Sequence, residues 1–185
     1  MNHFYQNIPG WFGFQSLYEW AVKAAPLQWP TTFVEIGAWK GRSAAFMGVE
    51  IINSGKPISL IVVEHGLGEV GAPTDLYDKD PEFPQLLQVL HRNLEPIQSV
   101  TRIISLHSLA AAQLVPDDSC QFVFIDGDHR YEAVQADIEA WLPKVVSSGV
   151  LAGDDYWEKG VHRAVHERLA KVHEGDGRWW SWQKP

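Results

Sequence analysis

Four groups of residues have the types and spacing to do chemistry. They are Glu35-Ile36-Gly37-Ala38-Trp39-Lys40-Gly41-Arg42-Ser43, then Glu64, then Asp126-Gly127-Asp128-His129, and then Asp154-Asp155. Gly37 and Gly41 allow a tight turn and close approach of backbone to a ligand, and a helix starting after them offers free N–H groups. Lys40 precedes Gly41, so the Gly-Lys-Ser/Thr order of a phosphate-binding loop is absent. Trp39 stands where the second glycine of the nicotinamide fingerprint G-x-G-x-x-G belongs. Its bulk would block a pyrophosphate but not a phosphate-free ligand, which disfavours a nucleotide-dependent oxidoreductase. A carboxylate such as Glu64 at the end of a second strand can accept hydrogen bonds from both hydroxyls of a ribose.

The elements around these groups follow from hydrophobic periodicity. Short apolar, β-branched runs at Thr32–Gly37, Ile58–Glu64, Thr101–Leu106, Gln121–Ile125 and Gly149–Gly153 read as strands. Between them, helical spacing covers Gln15–Ala25, Ser43–Asn53, a helix opened by Pro84, a stripe of Tyr131, Val134, Ile138, Trp141 and Leu142, and Val161–Val172. A last aromatic strand lies around Trp179–Gln183. The alternation predicts one α/β domain spanning 1–185 with a mostly parallel sheet and helices on both faces. A helical segment, residues 1–30, is expected to cover the site. In such a sheet ligands bind beyond the carboxyl ends of the strands, where all four groups fall. Residues 66–83 read as a long loop rich in glycine, proline and acids.

The net charge of −8, with Lys and Arg scattered, argues against nucleic acid as a partner. No stretch reaches the roughly 20 apolar residues of a membrane span. Met1–Asn7 lacks the layout of a signal peptide, and the one cysteine, Cys120, fits a reducing compartment, so a cytoplasmic location is expected. Nine tryptophans serve either core packing or aromatic walls around a planar ligand. His162 and His166, at helical spacing, read as a solvated face.

Glu35-x-Gly37-x3-Gly41-x-Ser43, the acid after the second strand, Phe124-Ile125-Asp126-Gly127-Asp128-His129-x-Tyr131 and Gly153-Asp154-Asp155 resemble class I S-adenosylmethionine-dependent methyltransferases. Within that class the motifs are most similar to metal-dependent small-molecule O-methyltransferases of the macrocin and, more distantly, catechol type. Similar motifs occur in cephalosporin-hydroxylase-like proteins. The resemblance covers residues 30–170 and implies a Rossmann-like, doubly wound sheet. It places the loop of Glu35, Gly37, Ala38, Trp39, Gly41 and Ser43 under the methionine part of S-adenosylmethionine. Glu64, with neighbouring His65, would hold the ribose, and His107 and Ser108 would border the adenine. Asp126, Asp154 and Asp155 match positions that bind a divalent metal, and Asp126 also borders the cofactor. His129 matches a catalytic base. The chain departs from the class in showing one terminal strand where a hairpin is usual.

Carboxylates at the ends of adjacent strands repel unless a cation or protons neutralise them, and all-oxygen ligands suit Mg²⁺. A bound metal would acidify an acceptor hydroxyl, His129 would take the proton, and the methyl group would be attacked in line. The implied acceptor is a small hydroxylated molecule. Two readings stay open beside it. One is a metal-independent enzyme or N-methyltransferase of the same fold. The second is a catalytically silent cofactor-binding module or scaffold that pairs through its aromatic ends. A homo-oligomer is left open as the partner state. Asp128 reads equally as a cap for the helix after His129.

Overall fold

Seven segments pair into one sheet. They are β1 (Thr31–Ile36), β2 (Ile58–Val63), β3 (Thr101–Ile104), β4 (Cys120–Ile125), β5 (Val145–Gly153), β6 (His173–Gly175) and β7 (Trp179–Gln183), in spatial order β3-β2-β1-β4-β5-β7-β6. The computed structural model describes residues 1–68 and 79–185. The first five strands are parallel, and β7 runs antiparallel between β5 and β6. Winding proceeds outward from β1 to β3 and then resumes at β4 on the other side of β1. The β1/β4 boundary is therefore the switch point at which such sheets bind ligands.

Among the described residues six helices flank the sheet: α1 (Gln15–Ala24), α2 (Arg42–Ser54), α3 (Leu86–Leu94), α4 (Ser108–Ala112), α5 (Tyr131–Trp141) and α6 (Lys159–Arg168). Alternate strand residues supply two cores, because successive side chains point to opposite faces. Phe33, Leu60, Phe122 and Phe124 pack with Phe14, Tyr18, Phe46 and Leu90 on one side. Val34, Ile36, Val123, Ile125 and Leu151 pack with Val134, Ile138, Trp141 and Val165 on the other. Burial on both faces explains why β1, β2 and β4 read as continuous apolar runs. The expected Rossmann-like, doubly wound architecture is the one observed. Among the described residues no helix is long and apolar enough to cross a membrane.

The C-terminal end corrects the sequence reading. The last helix stops at Arg168, with Leu169 already extended, rather than reaching Val172. The chain then forms a terminal hairpin instead of a single strand. Asp176 and Gly177, at φ 53° and 67°, make its turn, and the Arg178 N–H donates to the Gly175 carbonyl at 3.0 Å. Strand β6 is three residues long with His173 and Glu174 exposed, so it carries no alternating signal. The Asp-Gly dipeptide was the available clue, since turns of this hand need positive φ at both central residues. Helix α4, five residues long, also escaped the periodicity. Of the loop at 66–83, residues 69–78, with Asp75 and Asp78, lie outside the described residues.

Candidate active site

A cavity of about 1060 Å³ opens at the carboxyl ends of the parallel strands. Its wall includes Gly37, Ala38, Trp39, Ser43, Glu64, His65, His107, Ser108, Asp126, His129, Asp154 and Asp155, whereas Glu35 and Gly41 are not part of it.

The two glycines of the first loop have internal reasons. Gly37 sits at φ +84°, and a Cβ there would lie 2.0 Å from the Asp126 carbonyl oxygen. Gly41, at φ +88° before α2, would place a Cβ 2.8 Å from Leu90 of α3. Close packing of the chain on itself, rather than approach of a ligand, fixes both. Between them Trp39 adopts φ 52° and donates its backbone N–H to Glu64 Oε2 at 2.9 Å. The Gly66 N–H donates to Glu64 Oε1 at 2.8 Å. The buried Glu64 carboxylate is thereby aimed, and each oxygen retains a lone pair for a further donor. Lys40 is buried and paired with Asp80 and Glu82, which ties residues 80–82 to the loop. Burial pulls its pKa down, but the two carboxylates outweigh that and hold it above the usual value.

Glu35 lies behind the wall, fully buried, and accepts a hydrogen bond from the Ser43 hydroxyl. Burial pushes its pKa up to about 7, against the lowering effect of the Ser43 and Tyr18 hydroxyls. In the unfolded chain the group titrates near ~4.3. Its contribution to stability is therefore full below about pH 4.3 and is lost as pH rises through about 7. Glu35→Gln, a neutral isostere, should flatten this slope and stabilise the protein at pH 8 by roughly 2–3 kcal/mol. Urea unfolding of both proteins at pH 5 and pH 8 checks this; a steeper slope in the variant would contradict it.

At the β2/β3 end, His65 and His107 stack with ring centroids 5.6 Å apart. Each Nδ1 accepts a backbone N–H two residues ahead, from Leu67 and Leu109 respectively. The Ser108 hydroxyl accepts from Trp141 Nε1 at 2.8 Å. Asp137, a cavity residue that sequence reading missed, is buried on the apolar stripe of α5 beside Val134, Ile138 and Trp141. An acid on a buried stripe was the signal. Burial raises its pKa to about 6, opposed by Ser108 and His107.

At the β4/β5 end, pairing of Ile125 with Gly153 sets Asp126 and Asp154 on neighbouring strand ends. Donor atoms of Asp126, His129 and Asp155 all lie within 4.8 Å of one another. His129 Nε2 is 2.8 Å from Asp155 Oδ2. Asp155 reaches this position through a left-handed backbone, φ 53°, which aspartate tolerates better than most residues. Asp154 stands outside that trio, with Oδ1 buried and without a hydrogen-bond partner among the described residues. Burial, then the Asp154 and Asp155 charges, raise the Asp126 pKa well above the usual carboxylate range. Burial and Asp155 raise Asp154 to about 6. This donor set fits a hard divalent cation, which would relieve the repulsion now met by protons. Asp128 does not cap α5. Arg130 occupies the cap position, and Asp128 accepts its N–H and pairs with its guanidinium, so the acid shapes the turn before the helix.

The model of a methyltransferase domain family (Methyltransf_24) matches residues 34–156. No curated protein sequence matches the chain. Among solved structures, the O-methyltransferase NovP is 16% identical with a TM-score of 0.69, over 92% of this chain and 78% of that one. CalS11, a TDP-rhamnose 3'-O-methyltransferase of calicheamicin biosynthesis, is 15% identical with a TM-score of 0.61, over 91% and 76%. Cofactor-bound Rv0187 from MTB is 14% identical with a TM-score of 0.63, over 94% and 81%. With Gly37, Glu64 and the acidic strand ends on one cavity, the chain belongs to the methyltransferase domain family and has the fold of class I S-adenosylmethionine-dependent methyltransferases.

Proposed function

We propose that this protein transfers the methyl group of S-adenosylmethionine to a hydroxyl oxygen of a small acceptor, assisted by a divalent cation. The observation that carries this reading is the Asp126–His129–Asp155 trio, which shares one cavity with Glu64. The fold neighbours NovP and CalS11, both O-methyltransferases, support oxygen as the target. Glu64 accepts the ribose hydroxyls, the Gly37–Trp39 backbone underlies the amino-acid part, and His65, His107 and Ser108 border the base. Asp126 and Asp155 hold the cation with His129 or Asp154 beside them. A cation bound there supplies Lewis acidity that lowers the pKa of an acceptor hydroxyl. His129 accepts the hydroxyl proton, and Asp155, 2.8 Å from its Nε2, orients the imidazole and stabilises its charge. The His129–Asp155 contact also favours a second reading, in which this pair alone is the base and no metal takes part.

Calorimetry with S-adenosylhomocysteine tests the cofactor assignment. The expected result is micromolar affinity, on the order of −8 kcal/mol. Glu64→Ala should weaken it roughly 10- to 100-fold, because charged hydrogen bonds of about 1.5–3 kcal/mol are lost. No heat with the unmodified protein would overturn the reading. Repeating the titration with Mg²⁺, and Mg²⁺ alone, separates the two readings of the base.

A further inference from the structure

We infer that the acceptor carries a ring bearing an anionic substituent, a carboxylate or phosphate, and that Arg178 selects it; this rests on reading the cavity as a methyl-transfer site. The cofactor-side residues Glu64, His65, His107 and Ser108 follow β2 and β3, whereas the far wall of the same cavity is built beyond β5. There Trp11, from the N-terminal segment, and Trp157, after β5, line the cavity yet are 65% and 50% exposed. Indoles left open on a concave wall offer a stacking surface to a ring. Between these elements sits Arg178, from the hairpin turn. Its guanidinium lies over the Trp157 ring, 4.9 Å from the centroid. The Tyr156 N–H donates to its carbonyl at 2.7 Å. A Cβ at Gly13 would come within 2.7 Å of its Nε, so the glycine lets the arginine side chain lie close against the N-terminal segment. Two separate segments, at Gly13 and at Tyr156-Trp157, thus pack around this one cation.

The surrounding charge makes the placement informative. Asp126, Asp128, Glu132, Asp137, Asp154, Asp155 and Glu158 give the cavity an acidic lining. Of its other arginines, Arg130 is paired with Asp128, and Arg42 donates to the Ile8 and Gly10 carbonyls. Arg178 forms no ion pair among the described residues, and its charge acts on Asp154 only at longer range. A planar fork pre-stacked on an indole matches carboxylate and phosphate oxygens two at a time. The acidic lining beyond β4 and β5 disfavours anions away from that fork, so the anionic group would also fix which way the ring enters.

The test compares 3,4-dihydroxybenzoate with the neutral, near-isosteric 3,4-dihydroxybenzamide, titrated into the full chain with Mg²⁺ and S-adenosylhomocysteine present. The acid should bind roughly 10-fold or more tightly than the amide. Arg178→Gln should erase that preference, and Arg178→Lys should keep part of it. Heat with S-adenosylhomocysteine should be the same in all three proteins, which shows that each variant is folded. A preference that survives Arg178→Gln, a preference for the amide, or binding of neither phenol would overturn the inference. Absence of S-adenosylhomocysteine heat in the unmodified protein would instead bring down the methyl-transfer reading beneath it.

Discussion

Gly37→Ala is expected to destabilise the protein by about 3 kcal/mol or more, the largest loss for any single-methyl addition near the cavity. A left-handed backbone costs an L-residue about 1–2 kcal/mol on its own. Here the new Cβ would also lie 2.0 Å from the Asp126 carbonyl oxygen and 2.6 Å from the Gly127 Cα. Both obstacles are backbone, so no rotamer change relieves them. The ends of β1 and β4 would have to separate, which strains the Asp126 N–H bond to the Ile36 carbonyl, 2.8 Å long. Gly41→Ala provides the contrast, since its nearest neighbours are the flexible Leu90 and Leu94 side chains. Its loss should be the smaller of the two. Urea unfolding monitored by tryptophan fluorescence reads both, and a Gly37→Ala loss below about 1 kcal/mol would refute this account. Because the same shift moves Asp126, the variant should also lose affinity for Mg²⁺.

These two glycines show what a sequence discloses and what it withholds. The spacing Gly37-x3-Gly41 announced a tight loop after a strand, and its place in the fold was legible. The reason for the glycines was not, because it lies in contacts with Asp126 and Leu90, 89 and 49 positions away along the chain. The parallel strands were readable because burial on both faces forces continuous apolar runs. The hairpin strand β6 was not, since His173 and Glu174 face solvent and are held by pairing with β7. Acids at strand ends were conspicuous, but their ranking depended on backbone geometry. The left-handed turn at Asp155 brings that side chain to His129 and leaves Asp154 outside the trio. Arg178 illustrates the same limit: nothing near Gly177 hints that Gly13 and Trp157 close around it.

Asp126→Asn should abolish most cation binding while making the cation-free protein more stable at neutral pH. Asp126 is half-buried, and desolvation together with the charges of Asp154, Asp155 and Glu35 raises its pKa well above the unfolded value of about 3.9. Below about pH 4 the group is protonated in both folded and unfolded chains, and the substitution changes little. As pH rises above that, the unfolded chain gives up the proton freely, while the folded one must retain it or bury an uncompensated charge. Stability of the unmodified protein therefore falls with rising pH, and the asparagine, which cannot ionise, escapes that loss. A gain in stability at pH 7 that vanishes near pH 4 is the expected signature in urea unfolding. Calorimetry with Mg²⁺ should show affinity reduced roughly 100-fold, since one of three close donors has lost its charge. The outcome also separates the two readings of the site. If the His129–Asp155 pair acts as base without a metal, the unmodified protein and Asp126→Asn will show the same negligible Mg²⁺ heat. The stability gain will then appear alone. If the cation belongs there, stability rises and Mg²⁺ binding falls together.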